Sequence, residues 1–315
     1  MLTELLRIKR TIRNLNRARQ IINVFIKHGF GQIIEQLNLD RLLPFRKRIK
    51  VITSPPFAEK GIAEHLRMAF AELGPSFIKL AQILSSRPDL ITKTFSDEFK
   101  KLQDEVPPFP FVEVREIVTA ELKRPPEEIF TSFSAAPVAA ASIAQVHEAT
   151  LKDGRSVMVK IQRPRIREII ETDIDIMHFI ATLMDKYLPE TAFFNPIGIV
   201  EEFRRTIRRE IDFLEEAKNI SRFRRNFAAY PDVFIPAVFP ELTTGKIIVM
   251  EKVEGVRIDN IEGINKLGLD RTEIARKGIQ AYFKMIFDDG FFHGDRHPGN
   301  IFVMPDGTIG LVDFG

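Results

Sequence analysis

Apolar residues recur at helical spacing through the first third of the chain. Leu5, Ile8, Ile12, Leu15 and Ile22 fall on or near one stripe, and residues 1–50 read as helix. The segment TSPPFAEKG at 53–61 reads as a linker or turn, because two prolines cannot extend a helix interior. Leu66, Phe70 and Leu73 mark one face of a helix over 62–73. Gly74-Pro75 breaks it, Pro75 can open the next helix, and Pro88 ends that one. Two more helices are expected over 96–104 and 111–122, which makes an all-helical region of about 120 residues.

The period then changes from helix to strand. Alternation over 143–151, an Asp153-Gly154 turn and a second run over 156–162 predict a β-hairpin. Helix returns over 165–186. Residues 197–226 read as one long amphipathic helix, with Phe203, Ile207, Ile211 and Leu214 on one side. DVFIPAVFPEL and KIIVMEKV read as two more strands, 271–289 as helix, and NIFVMPDGTIGLVDFG as two short strands about Asp306-Gly307. There is no internal repeat and no low-complexity tract. The order predicts an α+β chain: a helical front, a small sheet with one long helix, then a helix leading to a loop and two short strands.

Composition narrows the chemistry. A chain of 315 residues can hold one large domain or two moderate ones, and 44% hydrophobic residues suffice for a core. The absence of cysteine excludes disulfides, thiol nucleophiles and thiolate metal sites. The net charge of +3 hides an asymmetry: residues 1–50 carry 12 Lys/Arg against 3 Asp/Glu, and the remainder 34 against 40. A basic amphipathic start suits an anionic membrane surface, and equally a helix packed on its own protein with a solvated basic face. It is not a secretory signal, since basic residues run through it and no continuous apolar stretch follows. Nucleic acid is not an expected partner, because aromatics are not interleaved with the basic residues. The most apolar stretch, IMHFIATLMDKYL, is interrupted by Asp185 and Lys186 and falls short of the ~18 apolar residues of a membrane span.

The candidate chemistry clusters near the end of the chain. Asp295 and Asn300 are followed by Asp313 in FFHGDRHPGNIFVMPDGTIGLVDFG. Phosphoryl transfer asks a protein for oxygens that hold a divalent metal and a group that orients the nucleophile. Asn300 and Asp313 are candidate Mg²⁺ ligands, and Asp295 stands where a base belongs. Each alone fits a turn residue; the combined spacing fits the protein-kinase signature set, with His-Gly-Asp where a kinase has His-Arg-Asp. Lys160, on the strand after the hairpin, matches the kinase lysine that holds nucleotide phosphates and pairs with a helix Glu. Glu210 and Glu216 both lie on the expected long helix. Six apart, they point about 120° apart, so Glu216 is assigned to Lys160 and Glu210 to another cation. A phosphate-covering loop would fall in PVAAASIAQV. There Ala139, Ala140, Ala141 and Ser142 replace the usual glycines, and alanine reaches positive φ only with strain. The alternative for this stretch is the start of an alanine-rich helix.

Together these stretches resemble the UbiB family, also called the aarF-domain or ADCK-type atypical kinases, over about residues 62–315. The Lys-x-Gly-Gln signature is similar to FIKLAQILSSRPDL, with Lys79 and Gln82 in place and Ala81 where the family has Gly. The alanine loop is VAAAS, the Glu-x-Asp is Glu210-Ile211-Asp212, and the catalytic loop is HGDRHPGN, with Arg296 in place of the more usual Pro. The resemblance implies a protein kinase-like fold with an N-terminal helical extension. Residues 1–60 would be the basic segment, 61–130 the extension, 131–253 the N-lobe with inserted helices, and 254–315 a C-lobe fragment.

It also implies ATP and Mg²⁺ as cofactors, with Asp295, Lys160, Glu216, Lys79 and Glu210 in catalysis. Gln82, Met250, Glu251 and Val253 would join the alanine loop around the nucleotide. The extension would lay Lys79 toward Glu210 and close the cleft for protein substrates. The implied function is an atypical kinase or ATPase supporting isoprenoid quinone biosynthesis, cytoplasmic and peripheral at membranes, with ATP/ADP and a quinone precursor or other lipid as partners. Family members usually run on past Asp-Phe-Gly, often into C-terminal membrane segments, so a truncated piece is expected. Two alternatives share the fold: a small-molecule phosphotransferase like the aminoglycoside and choline kinases, and a nucleotide-binding pseudokinase scaffold.

Overall fold

A computed structural model describes residues 2–43, 61–87, 89–102, 106–294 and 297–315, with side chains from residue 14 onward. Residues 53–60 of the linker expected at 53–61, the terminating Pro88 and the candidate base Asp295 lie outside the described residues. The described chain forms two compact units that interleave along the sequence. One comprises residues 1–106, 141–143 and 165–208; the other comprises 107–140, 144–164 and 209–315.

The first unit is helical. The stretch expected as one helix over 1–50 is α1 (Leu2–Lys27), then α2 (Gly31–Gln36) and a 3₁₀ turn (Leu39–Leu42). Gly29, at φ +91°, lets the chain leave α1 in a left-handed conformation. Next come α3 (Ile62–Leu73), α4 (Pro75–Ser85) and α5 (Lys93–Phe99). Gly74, at φ +93°, stands between α3 and α4 as the Gly-Pro signal requires. The helix expected over 96–104 begins earlier and ends at Phe99; residues 103–105 lie outside the described residues. Phe70 joins these helices, with ring centroids 5.5 Å from Phe77 and from Phe99. The described part of α1 is packed within this unit: Ile21 and Ile22 are buried, and Arg17 forks onto the buried Asp173 at 2.6 and 2.9 Å. Asp173 lies on α8 (Ile166–Tyr187).

The second unit carries both sheets. Helices α6 (Phe111–Leu122) and α7 (Pro126–Ile129) precede β1 (Phe130–Phe133). The hairpin forms as its turn chemistry predicts: β3 (Ala144–Leu151) and β4 (Ser156–Gln162) pair antiparallel from Ala144↔Gln162 to Thr150↔Ser156. β1 and the two-residue β2 (Ala139–Ala140) line the other edge of β3, and β6 (Ile247–Glu251) lies against β4. Val157, Val159 and Ile161 of β4 enter a core with Val114, Val118 and Phe130. The second sheet runs β5 (Val233–Phe234), β9 (Ile309–Leu311), β8 (Ile301–Val303), β7 (Val256–Arg257).

Three expectations are corrected. The helix over 197–226 is two helices, α9 (Pro196–Glu210) and α10 (Phe213–Asn226). Asp212 between them is extended and accepts from the Leu214 amide at 3.2 Å, the capping role for which aspartate outcompetes helix continuation. Glu210 and Glu216 are therefore not on one helix, and the angle computed from a shared axis does not apply. In DVFIPAVFPEL only Val233–Phe234 forms a strand, with one further bridge at Val238, because Pro236 and Pro240 cannot donate to a ladder. The helix over 271–289 is α-helical as α11 (Arg271–Phe283) and then widens to a π turn over Lys284–Asp288.

Candidate functional site

Strand β4 alternates buried and less buried residues until its end. The alternation puts Val159 and Ile161 in the core and turns Lys160 to the opposite face. On α10 the buried positions are Phe213, Glu216, Ile220 and Phe223, one helical stripe interrupted by a carboxylate. That carboxylate, 2% exposed, meets Lys160: the amine donates to Glu216 Oε1 at 3.0 Å and Oε2 at 2.9 Å.

The same ammonium also donates to Asp313 Oδ1 at 2.8 Å, a contact the sequence reading did not anticipate. The Phe213 ring lies 5.4 Å from the Lys160 nitrogen. Burial works against the Lys160 ammonium, but Asp313 and Glu216 overcome it and hold the amine protonated well above the ordinary lysine range. Burial also pushes the Glu216 carboxyl up from its ordinary value. Lys160 pulls against this, while Asp313 and Glu210 add to it. Glu210 is close by: a Cβ placed on Gly315 would stand 3.9 Å from Glu210 Cγ and 3.9 Å from Glu216 Oε2. Lys160 thus stands between two carboxylates, with a third, Glu210, close by.

Asp313 follows β9 with φ +60°, a left-handed backbone that aspartate tolerates better than most residues. Its position is built by neighbours. The Val312 amide donates to the Asn300 carbonyl at 3.0 Å. His293 Nε2 donates to the Val312 carbonyl at 3.2 Å. The Asn219 amide donates to the Phe314 carbonyl at 2.9 Å. Phe314 is buried among Phe223 and His293, with centroids at 5.0 and 5.1 Å. Asn300 ends a 3₁₀ turn (Pro298–Asn300) whose cap is His297, its Nδ1 accepting from Gly299. His293 and Asn219 were missed as supporting residues; the only sequence signal was His293 beside the candidate catalytic aspartate.

The remaining candidates distribute as follows. Ala139 and Ala140 form β2, paired to Val146 and Gln145, so this stretch is strand and not a helix start. Ala141 and Ser142 cluster with the first unit, and Ser142 is fully buried with no hydrogen-bond partner for its hydroxyl among the described residues. Lys79 and Gln82 are half-buried on α4 of that unit, three positions apart on one face. Met250 is buried in the core beside Phe213, and its strand neighbour Glu251 accepts from the Ala237 amide at 3.1 Å. Val253 packs where any side chain on Gly310 would have to stand, 2.4 Å from that Cβ position.

This arrangement suits a divalent cation and a phosphate chain. Among the described residues no three His, Asp or Glu side chains converge as a metal cage. Mg²⁺ commonly takes one or two protein oxygens, which Asn300 and Asp313 could supply, and fills its octahedron with phosphate and water.

Comparison with known proteins agrees with the geometry. Residues 101–315 match the family described as the ABC1 atypical kinase-like domain. The chain belongs to this family. A "Probable protein kinase UbiB" of Marinobacter nauticus is 42% identical over 281 residues, covering 87% of this chain and 51% of that protein. One from Aliivibrio salmonicida is 36% identical over 293 residues, covering 93% and 54%. The chain therefore spans about half the length of these curated relatives. Among solved structures, the complex of Rv3197 with erythromycin from Mycobacterium tuberculosis superposes with a TM-score of 0.56 at 30% identity, covering 80% of this chain and 63% of that one. The fold of this ABC1 family member is α+β and kinase-like.

Proposed function

We propose that this ABC1 family chain binds MgATP at the Lys160–Glu216–Asp313 cluster and acts as a UbiB-type phosphotransferase or ATPase. The observation that carries the reading is the shared ammonium: one protonated Lys160 joins a buried glutamate on α10 to the aspartate after β9. Kinase-like sites hold the α- and β-phosphates with such a lysine. In this reading Lys160 orients the phosphate chain, Glu216 fixes the lysine, and Asn300 and Asp313 hold Mg²⁺. The metal would neutralise charge on the transferring phosphoryl group. Asp295 would orient the nucleophile. Ala139, Ala140, Met250, Glu251 and Val253 would surround the nucleotide.

The family resemblance extends the proposal. The reaction would support isoprenoid quinone biosynthesis or related lipid metabolism, at an anionic membrane met by the basic segment of residues 1–50. The helix bearing Lys79 and Gln82 would give the restriction of protein substrates that the resemblance implies. The relatives' printed names support the kinase class. No helix among the described residues is long and apolar enough to cross a membrane.

Calorimetric titration of ATP with Mg²⁺ and with EDTA tests the reading. Tighter binding with Mg²⁺, lost in Lys160→Ala, is expected. Equal affinity in both conditions would refute it.

A further inference from the structure

Strand β4 ends on a residue that breaks its own pattern. Gln162 lies two positions beyond Lys160, on the same face of the strand. Lys160 is partly exposed, yet Gln162 is 3% exposed. A buried amide is costly unless it is hydrogen-bonded. Its Nε2 donates to the carbonyl of Ile211 at 2.7 Å, and its own backbone amide donates to the Lys246 carbonyl at 2.9 Å.

Ile211 is the residue at which α9 has ended and α10 has not begun. Helix termini leave carbonyls without intrahelical partners, and at the buried Ile211 the Gln162 amide supplies a donor. From Ile211 the chain passes through the Asp212 cap, and the Phe213 amide meets the Gly245 carbonyl at 3.5 Å. The first turns of α10 then carry Glu216 to Lys160. One face of β4 therefore grips the start of α10 twice, through Lys160 to Glu216 and through Gln162 to the Ile211 carbonyl.

We propose that Gln162 is a positioning residue of the nucleotide site: by holding the Ile211 carbonyl it fixes the entry and rotation of α10, and so the Lys160–Glu216 pair. The rotation matters because the apolar periodicity does not set it. Leu214, which continues the α9 stripe, is 44% exposed, while Glu216 is buried. The role of Gln162 in nucleotide binding rests on the MgATP reading above; its grip on α10 does not.

The test uses the full chain with Gln162→Glu, which keeps shape but replaces the amide donor with a carboxylate, and Gln162→Leu, which removes polarity. Hydrogen exchange without nucleotide reads the clamp directly. Amides of residues 214–219 should exchange faster in both variants, with those of the β3–β4 hairpin unchanged. Unchanged exchange at 214–219, or acceleration spread evenly over the unit, would overturn the clamp. MgATP titration reads its consequence in a double-mutant cycle with Glu216→Gln. Losing a buried hydrogen bond of this kind should weaken MgATP binding about tenfold in each Gln162 variant. Combined with Glu216→Gln, no further loss is expected, because Gln162 acts through Glu216. Additive losses would overturn the positioning role. If the wild-type chain binds no nucleotide, the MgATP reading falls, and the exchange result alone decides whether Gln162 holds α10.

Discussion

The backbone amide of Val312 donates to the backbone carbonyl of Asn300 at 3.0 Å, tying the residue before Asp313 to the other candidate metal ligand. Antiparallel pairing of β8 with β9 continues this link from Ile301↔Leu311. A hairpin whose turn holds Gly307 at φ +79° thus brings the backbone at Asn300 next to the residue before Asp313, an aspartate thirteen positions on in sequence.

Asp313→Asn keeps a residue that tolerates the left-handed backbone at φ +60°, so the fold should survive. It removes one negative charge beside Lys160. MgATP affinity should fall at least about tenfold, the scale of one charge-assisted contact, and metal-free ATP affinity should fall less or rise. Calorimetry with Mg²⁺ and with EDTA measures both. Equal losses in the two conditions would remove Asp313 from the metal site.

Lys160→Met leaves Glu216 buried without its cation. Breaking such a pair costs about 3–5 kcal/mol, whereas replacing both partners by apolar residues of similar size is often neutral. Lys160→Met should therefore lower chemical-denaturation stability sharply, and adding Glu216→Leu should restore much of it. A double variant no more stable than the single one would show that the pair is not what the helix depends on.

His147 is fully buried on β3. One ring nitrogen contacts the Ser134 carbonyl at 2.8 Å and the other contacts Gln145 Nε2 at 2.9 Å. Burial pushes the imidazole pKa below 6.5 against the pull of that carbonyl. The unfolded chain therefore takes up a proton first as pH falls. The contribution of neutral His147 is complete above pH 6.5 and is lost as pH drops toward the lower folded value. The melting temperature should fall below that pH. In His147→Phe it should start lower and depend less on pH over the same range. An identical pH slope in both proteins would assign the effect elsewhere.

Residues 1–50 carry a charge of +9. Near an anionic bilayer each basic residue contributes about 1 kcal/mol, and salt screens the attraction. The chain should float with anionic liposomes at low salt, float poorly with neutral ones, and lose the preference when residues 1–50 are removed. Within the described part of α1, Arg17 is committed to Asp173 and does not count toward this attraction. Flotation that ignores lipid charge would argue that the basic face is merely solvated.

Much of the site was legible because its signals are local. The β3–β4 hairpin follows from alternation and one Asp-Gly turn, with Gly154 at φ +88°. The helices at 62–73 and 111–122 follow from apolar stripes bounded by glycine or proline. That Lys160 pairs with a helix glutamate came from the kinase-like pattern, while the choice of Glu216 came from an angle on a shared helix that the structure breaks; the pair stands at 2.9 Å. The break at Ile211-Asp212 was hidden because Phe203, Ile207, Ile211 and Leu214 keep helical spacing straight through it. The partners that favour the break, Gln162 and the Gly245 carbonyl, come from strand and loop residues more than thirty positions away. The second partner of Lys160 was hidden for the same reason, since Asp313 lies 153 positions away.

By itself the sequence determined the β3–β4 hairpin, most helical segments and the turns marked by glycine and proline, and which functional groups the chain offers. Those properties depend on period, on backbone freedom at glycine and proline, and on functional groups, all present before folding. Only the tertiary structure decided that α9 and α10 are separate, that Glu216 rather than Leu214 is buried, and that one lysine serves two carboxylates. A helix can continue or stop at similar local cost. At this break the local Asp212 cap is joined by distant partners for the buried backbone, among them the Gln162 amide.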